Sequence, residues 1–591
     1  MRHIPLKCFV LLLLLVSWLA SSACQQQRET PRQPSQNQSP PHERVIGSRG
    51  GSLTYRIISP PKTFNYLLAS DVDSLAVSFL LMGGRLAELD HDTQRYVPAL
   101  AETWKLAEDG RTIELTLRDG LRFSDGNPLT AEDVLFTFRA IYDERTASPV
   151  FRDAMTIGDR QIEVSEVDPR RLRFVFPETI ATPENYLSNV AVLPRHMLEE
   201  SLNNGKLREA YGITADPKRI VTSGAFMVQA ASPGERVTLQ RNPHYWKKDG
   251  AGTPLPYLDT IVIEVISEAN NAMARLEGGT LDIVDRIRPT DYAALRQQQG
   301  PVRAFDLGPG LVTDHMWFNL NEGERDGQPT VNPIKRAWFG DVRFRRAISH
   351  AIEREAIASS TMQGLATSLY GFVSPGNRAW AAHDLPRINY DPEQARALLR
   401  EAGFTARGTP DAPELFDAHG NRVELTMIVP IESQPRVAMA TIIQEDLARL
   451  GIKMHVAPIE AGELSRRTTQ SYDYDAVLLG VSVTEPDPSS YNNFLRSSSP
   501  THQWHPKQTT PATDWEARID QLMTAQAHET DEQRRHAIFR DIQLLLAEHL
   551  PVVPIVARHV TSAANTRVGN YRPSPIFPYA LWNAEELFVR R

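Results

Sequence analysis

Twice between Asp391 and Val456 the spacing of apolar residues passes from helical to extended, and this alternation decides the class of fold. After Asp391-Pro392, the residues Ala395, Leu398 and Leu399 recur at helical spacing until Gly403. Leu425 to Val429 is then a strand, Ile443, Leu447 and Leu450 mark a second helix ending at Gly451, and Ile452 to Val456 is the next strand. Strand, helix and strand in that order imply a right-handed crossover and therefore an α/β sheet. Asp341 caps an earlier helix whose inner face holds Phe344, Ile348, Ala351 and Ile352. A later one runs from Asp531 to His549 with Ile538, Ile542, Leu545 and Leu546 inward, followed by a short strand, Val552 to Val556. Nearer the N-terminus the pattern is richer in strands. Ile113, Leu115 and Leu117 alternate, Asp119-Gly120 and Asp125-Gly126 turn the chain, and Thr130 opens a helix with Asp133 as its capping partner.

At 591 residues the chain is long enough for three or four units of about 150 residues each. A net charge of −8 and the lack of a long Lys/Arg block exclude a nucleic-acid binder, which needs clustered cations for phosphates. Arg2 and Lys7, the apolar run Cys8 to Val16 and the small residues Ser21 to Ala23 form a secretory signal over residues 1–23. Only two cysteines exist, and Cys8 leaves with the signal. The exported body therefore has no internal disulfide and depends on its cores. Cys24 follows Ser22-Ala23 as in a bacterial lipobox, although Ser21 stands where leucine is usual; the alternative is ordinary cleavage leaving an incidental thiol. Residues 24–49, rich in Gln, Pro and Ser, read as a flexible tether.

No HExxH, GxSxG or GxxxxGK[ST] motif is present. His528-Glu529 lacks a second histidine, Asp417 to Asn421 reads as a hairpin turn rather than a calcium loop, and Asp473 and Asp475 read as a strand entry. No catalytic residue, metal site or cofactor is expected.

Several stretches together resemble one family. They are Tyr96 to Trp104, Glu108 to Gly110, Leu115 to Gly120, Phe123 to Gly126 and Pro128 to Val134. Leu193 to His196, Thr222 to Phe226, Leu239 to Trp246, Tyr257 to Asp259, Glu277 to Ile283, Asp341 to Ala347, Asp391 to Phe404 and Pro551 to Val556 continue the match in order. The chain thereby resembles the bacterial family 5 extracellular solute-binding proteins, the peptide-, dipeptide- and nickel-binding components of ABC importers.

The resemblance implies an α/β, two-lobed periplasmic-binding-protein clamshell with an inserted small β-rich domain. Lobe I would combine residues 50–85, 194–305 and 561–591, the insert 86–193, and lobe II 306–560. The hinge would lie near Asp314–Asn321 and Val552–His559, and closure would bury the solute. The implied partners are a peptide-like ligand and a membrane permease with a separate ATPase. The chain itself would be a non-enzymatic monomer, exported to the periplasm or cell surface and anchored through a lipid on Cys24. An exported sensor docking a membrane receptor and an exported hydrolase on the same scaffold are the alternatives.

In peptide-binding relatives an extended peptide pairs its backbone with cleft strands, and an aspartate near a glycine clamps its amino group. The matching segment here is Gly480 to Pro488, and Thr484 holds the aspartate's place. Glu485 and Asp487 are the nearby anions, and each either clamps an amine or caps the loop. Gly480 would let ligand backbone approach, and Ser482 lies on the same segment. The arginine that meets a dipeptide's carboxylate has Glu432 or Ser433 near its place, and Arg436 fits only with a gap. Trp317 and Asn319, beside the implied hinge, complete the candidate contacts, although core packing also suits Trp317.

Overall fold

The computed structural model describes residues 44–148, 150–325 and 327–590. The export signal, Cys24 and most of the tether lie outside them. The tether's last residues meet the body: Asn570 Nδ2 donates to the Val45 carbonyl at 2.9 Å, and Val45 N–H donates to Asn570 Oδ1 at 3.0 Å.

The architecture is mixed α and β, as the alternating periods require. β1 (Ser52–Ile57) is followed by the hairpin β2 (Ala87–Asp90) and β3 (Arg95–Pro98). Then come β4 (Ala101–Leu106), β5 (Thr112–Leu117), β6 (Glu163–Asp168) and β7 (Arg171–Val175), a separate antiparallel sheet in the order β4-β5-β7-β6. The chain returns beside β1 with β8 (Phe226–Ser232), β9 (Arg236–Arg241), β10 (Thr260–Val265) and β11 (Ile283–Asp285). It continues with the long β12 (Val302–Phe318), β13 (Ala366–Ser368), β14 (Glu424–Pro430), β15 (Lys453–Ile459), β16 (Ala476–Val481) and β17 (Val552–Asn565). The main sheet has eleven strands in the order β8-β9-β10-β1-β11-β17-β12-β16-β14-β15, with β13 also on β17. β14 and β15 pair in parallel from Glu424–Lys453 to Pro430–Ile459, as the crossover demanded.

The helices start where their caps place them. α1 (Ala131–Tyr142) has the full Thr130/Asp133 capping box. Asp341 accepts the Arg343 N–H at 2.8 Å to open α2 (Val342–Ala351), and Asp391 accepts that of Gln394 at 2.9 Å to open α3 (Pro392–Glu401). α4 (Gln434–Ala448) crosses between β14 and β15, and α5 (Asp514–His528) precedes α6 (Glu532–His549), capped by Asp531. Each such cap is worth about 1 kcal/mol.

Strand alternation then separates the cores. Met316 and Phe318 of β12 pack with Phe344, Leu399 and Ile443 on one face, while Trp317 packs with Phe539 and Ile542 on the other. In the first part of the sheet Ile283 and its neighbour Val284 likewise enter different clusters. Both faces of the sheet are therefore covered.

Two elements differ from expectation. β17 runs for 14 residues rather than stopping at Val556, because its second part, poor in large apolar residues, is made a strand by pairing with β11 and β12. The innermost side chains of α6 are Arg535, Phe539, Ile542, Gln543 and Leu546, whereas Ile538 and Leu545 are only half-buried.

Candidate functional site

β12 and β17 are the two strands that continue from the first part of the sheet into the second, and their ladder is irregular midway. The register shifts between Asp306 and Pro309, between Pro309 and Thr313, and again after Asp314. Asp314 has no exposed surface and accepts from Arg436 Nε at 2.7 Å and from Arg558 Nε and NH2 at 2.5 and 3.0 Å. Burial pushes its carboxyl up, and the two guanidiniums more than offset this, so it lies below the usual carboxylate range. Gly480 faces Asp314 across the β12–β16 ladder, and a Cβ there would strike the Arg436 guanidinium. Gly376 is under a similar constraint: a Cβ would run into the Pro309 carbonyl, and the Ser374 hydroxyl donates to the Gly310 carbonyl at 2.5 Å. The 374–377 turn is thus seated directly on the irregular stretch.

Beside that stretch lies a cavity of about 520 Å³, within the range of small-molecule sites. Arg286, Arg558 and His559 border it together with Ser482 and Thr484, both exposed. Leu75, Leu311, Met362, Val483 and Phe577 give it apolar walls. Arg286 has φ 55° and its guanidinium sits 5.4 Å from the ring centroid of Tyr579, itself at φ 59°. His559 holds Nδ1 2.9 Å from Asp306 and Nε2 2.8 Å from Thr367 Oγ1.

A second set of contacts joins distant parts of the chain around another cavity, also of about 520 Å³. Arg535 grips Asp487 with two nitrogens at 2.8 and 2.9 Å, and both side chains are about 5% exposed. The Thr182 hydroxyl donates to the same carboxylate at 3.0 Å, and Ala181 N–H donates to the Ala527 carbonyl at 2.8 Å. Gln94 Nε2 donates to the Gly376 carbonyl at 3.0 Å, and Gln94 Oε1 accepts Arg378 N–H at 3.0 Å. The Tyr96 hydroxyl lies 3.0 Å from Glu485 Oε2 and 3.1 Å from Asn185 Oδ1. Burial pushes the Glu485 carboxyl up to about 7; the Tyr96 contact opposes this and the Asp487 charge adds to it. Burial also raises Asp487, but the Arg535 charge wins and leaves it low.

The seven residues singled out from the sequence therefore separate. Ser482 and Thr484 border the first cavity and Asp487 the second. Glu485 lies at the Tyr96 contact. Gly480 and Trp317 border a third, more apolar cavity of about 270 Å³ with Leu464 and Phe494. Asn319 is fully buried and engaged by the chain: its Nδ2 donates to the carbonyls of Tyr472 and Tyr474 at 2.8 and 3.0 Å. Both anions proposed for an amine are occupied, since Asp487 pairs with Arg535 and also accepts the Ser489 N–H at 2.9 Å. Arg436 is likewise engaged by Asp314. Arg286, Tyr96, Thr182 and Arg535 were not read from the sequence. Two of them left a signal there: Tyr96 opens the first of the family-like stretches, and Arg535 is a charge at the i−4 position of the buried Phe539 stripe of α6.

The family described as bacterial extracellular solute-binding proteins, family 5 middle, matches residues 95–503. A probable ABC transporter-binding protein of Deinococcus radiodurans is 27% identical, with 92% of each chain covered. Di/tripeptide-binding protein 3 of Pseudomonas aeruginosa is 25% identical, covering 86% of this chain and 90% of its own. The ABC transporter substrate-binding protein CtaP from Listeria monocytogenes has the same fold, with a TM-score of 0.73 at 23% identity over 92% of this chain and 100% of its own. Among the described residues no helix is long and apolar enough to cross a membrane. With most of its length matched and its sheet laid out on the periplasmic-binding-protein plan, the chain belongs to the family 5 bacterial extracellular solute-binding proteins.

Proposed function

We propose that the chain captures a peptide-like solute in the cavity beside the irregular β12–β17 stretch and delivers it to an ABC permease. The lobes would be residues 50–85, 194–305 and 561–591 on one side and 306–560 on the other, with 86–193 inserted. Ser482 and Thr484 would meet the solute from one lobe and Arg286 from the other. The exported monomer would be held at the membrane by a lipid on Cys24. The observation that carries this reading is the cavity itself, bordered from both sides of the two shared strands. The name of the Pseudomonas relative supports the peptide class.

The test is native mass spectrometry of the soluble chain starting at residue 24 with Cys24→Ser, followed by denaturing release. A ladder of peptide masses is the expected result. A single non-peptide mass would remove the peptide class, and unchanged membrane fractionation of full-length Cys24→Ser would remove the lipid anchor.

The Tyr96, Thr182 and Gln94 contacts would then hold the inserted domain, and with it the first lobe, against residues 306–560, and their strength would depend on pH. With the lobes apart Glu485 is in water, where an ordinary glutamate ionises near 4.5; across the contact its carboxyl ionises near 7. A carboxyl raised in this way favours the joined arrangement most strongly below about pH 4.5 and loses that contribution as pH rises through about 7. A protonated Glu485 donates to Tyr96, leaving the tyrosine proton for Asn185. An ionised Glu485 makes both oxygens compete for that proton. Small-angle scattering is expected to show a larger radius of gyration at pH 8 than at pH 5, and Glu485→Gln is expected to flatten the difference. A pH-independent radius in the unmutated chain would refute the contact's role.

A further inference from the structure

Apart from Tyr579, the titratable side chains that line the hinge cavity are basic and have no acidic counterpart in its lining. Arg286, Arg288, Arg558 and His559 border it, and no aspartate or glutamate does. Three of these four groups are already matched. Arg558 is bound to Asp314, Arg288 reaches Asp291 at 2.7 and 2.9 Å, and His559 faces Asp306. Arg286 differs. Among the described residues no carboxylate pairs with it, and its guanidinium rests on the Tyr579 ring. The preceding residue, Asp285, has its oxygens engaged by Tyr55, Ser562 and the Ala580 N–H.

Arg286 is also held at a backbone cost. Arg286 and Tyr579 both occupy the left-handed region, which is strained for a non-glycine residue and persists where the surroundings enforce it. The Arg286 N–H donates to the Thr561 carbonyl at 2.7 Å, fixing the turn after β11. Two strained residues thus meet in one guanidinium–ring contact at the wall of the cavity. The nearest anions along the chain from Thr484, Glu485 and Asp487, are turned toward Tyr96 and Arg535 instead. A solute ammonium in the cavity would meet the unmatched Arg286 guanidinium and no carboxylate of the lining, a repulsive arrangement.

We infer that the hinge cavity selects a solute with a terminal carboxylate, held by Arg286, on an apolar body, and that a free amino terminus contributes nothing to its capture. The inference rests on the reading that this cavity is the solute site. For a peptide it means that blocking the amino end is tolerated and neutralising the carboxyl end is not. A hydrogen-bonded charge of this kind is worth about 1.5–3 kcal/mol, hence about tenfold or more in affinity.

The experiment is calorimetric titration of the unliganded chain with a mixed tripeptide library in free, N-acetylated and C-amidated forms. Dodecanoate and dodecylammonium are run alongside as non-peptide probes. C-amidation is expected to weaken binding by about tenfold or more and N-acetylation by less than about threefold. Arg286→Gln is expected to abolish the acid-over-amide preference. Equal binding of acid and amide, loss of binding on N-acetylation, or a preference that survives Arg286→Gln would each overturn the inference. If Arg286→Gln does not fold, Arg286→Lys serves in its place, with the preference reduced but of the same sign. If no tripeptide binds, the peptide reading fails, and the dodecyl pair decides this one. Dodecanoate bound in preference to dodecylammonium through Arg286 supports it, and dodecanoate unbound overturns it.

Discussion

Asp314→Ala is expected to destabilise the protein by about 3–5 kcal/mol, the usual result of removing one partner from a buried ion pair. The variant leaves the Arg436 and Arg558 guanidiniums, themselves only partly exposed, facing one another around a fully buried position that no longer holds a carboxylate. It also cuts the link between α4, which carries Arg436, and β17, which carries Arg558, where the β12 ladder has already lost its register. Asp314→Asn keeps an acceptor but loses the charge, so it should fall between. The check is the unfolding midpoint of each variant, and a midpoint unchanged in Asp314→Ala would show that the arginines find water after all.

A loss of similar size, about 3–5 kcal/mol, is expected from Asp487→Ala, because Arg535 is then left buried and unpaired. Replacing both by leucine should recover most of it, since apolar side chains of similar volume often replace a buried pair without loss. This pair of variants separates two roles for Asp487. An aspartate reserved for a solute's amine would cost binding when removed and leave the empty protein's stability untouched. A drop in the midpoint of the empty protein that the double variant restores identifies a structural anion.

The helices were legible because their signals are local. Thr130, Asp341, Asp391 and Asp531 each stand three or fewer residues from the backbone N–H they accept, so neighbours in sequence suffice to reveal them. The second part of β17 was not legible, because Ala557 to Asn565 carries no periodic apolar pattern and becomes a strand only against β11 and β12. The candidate site was harder still. The segment Gly480 to Asp487 was identified, but not the direction its side chains take, which is set by partners far away in sequence: Tyr96, Thr182 and Arg535. Arg286 has no motif at all, and its interest comes from a backbone angle and a ring that the fold delivers from nearly 300 residues downstream.

The contacts around the second cavity and the wall of the first share no side chain: Tyr96, Thr182, Glu485, Asp487 and Arg535 are all absent from the lining beside β12. Apparent affinity is intrinsic affinity multiplied by the fraction of molecules in the competent arrangement. With the cavity as the solute site, a change at these contacts would act as a gain control, scaling the response to every solute by one factor and leaving their ranking untouched. A change at the wall reorders the ranking. On the proposed function, sensitivity and selectivity would be written in different parts of this chain, and a variant of one need not disturb the other.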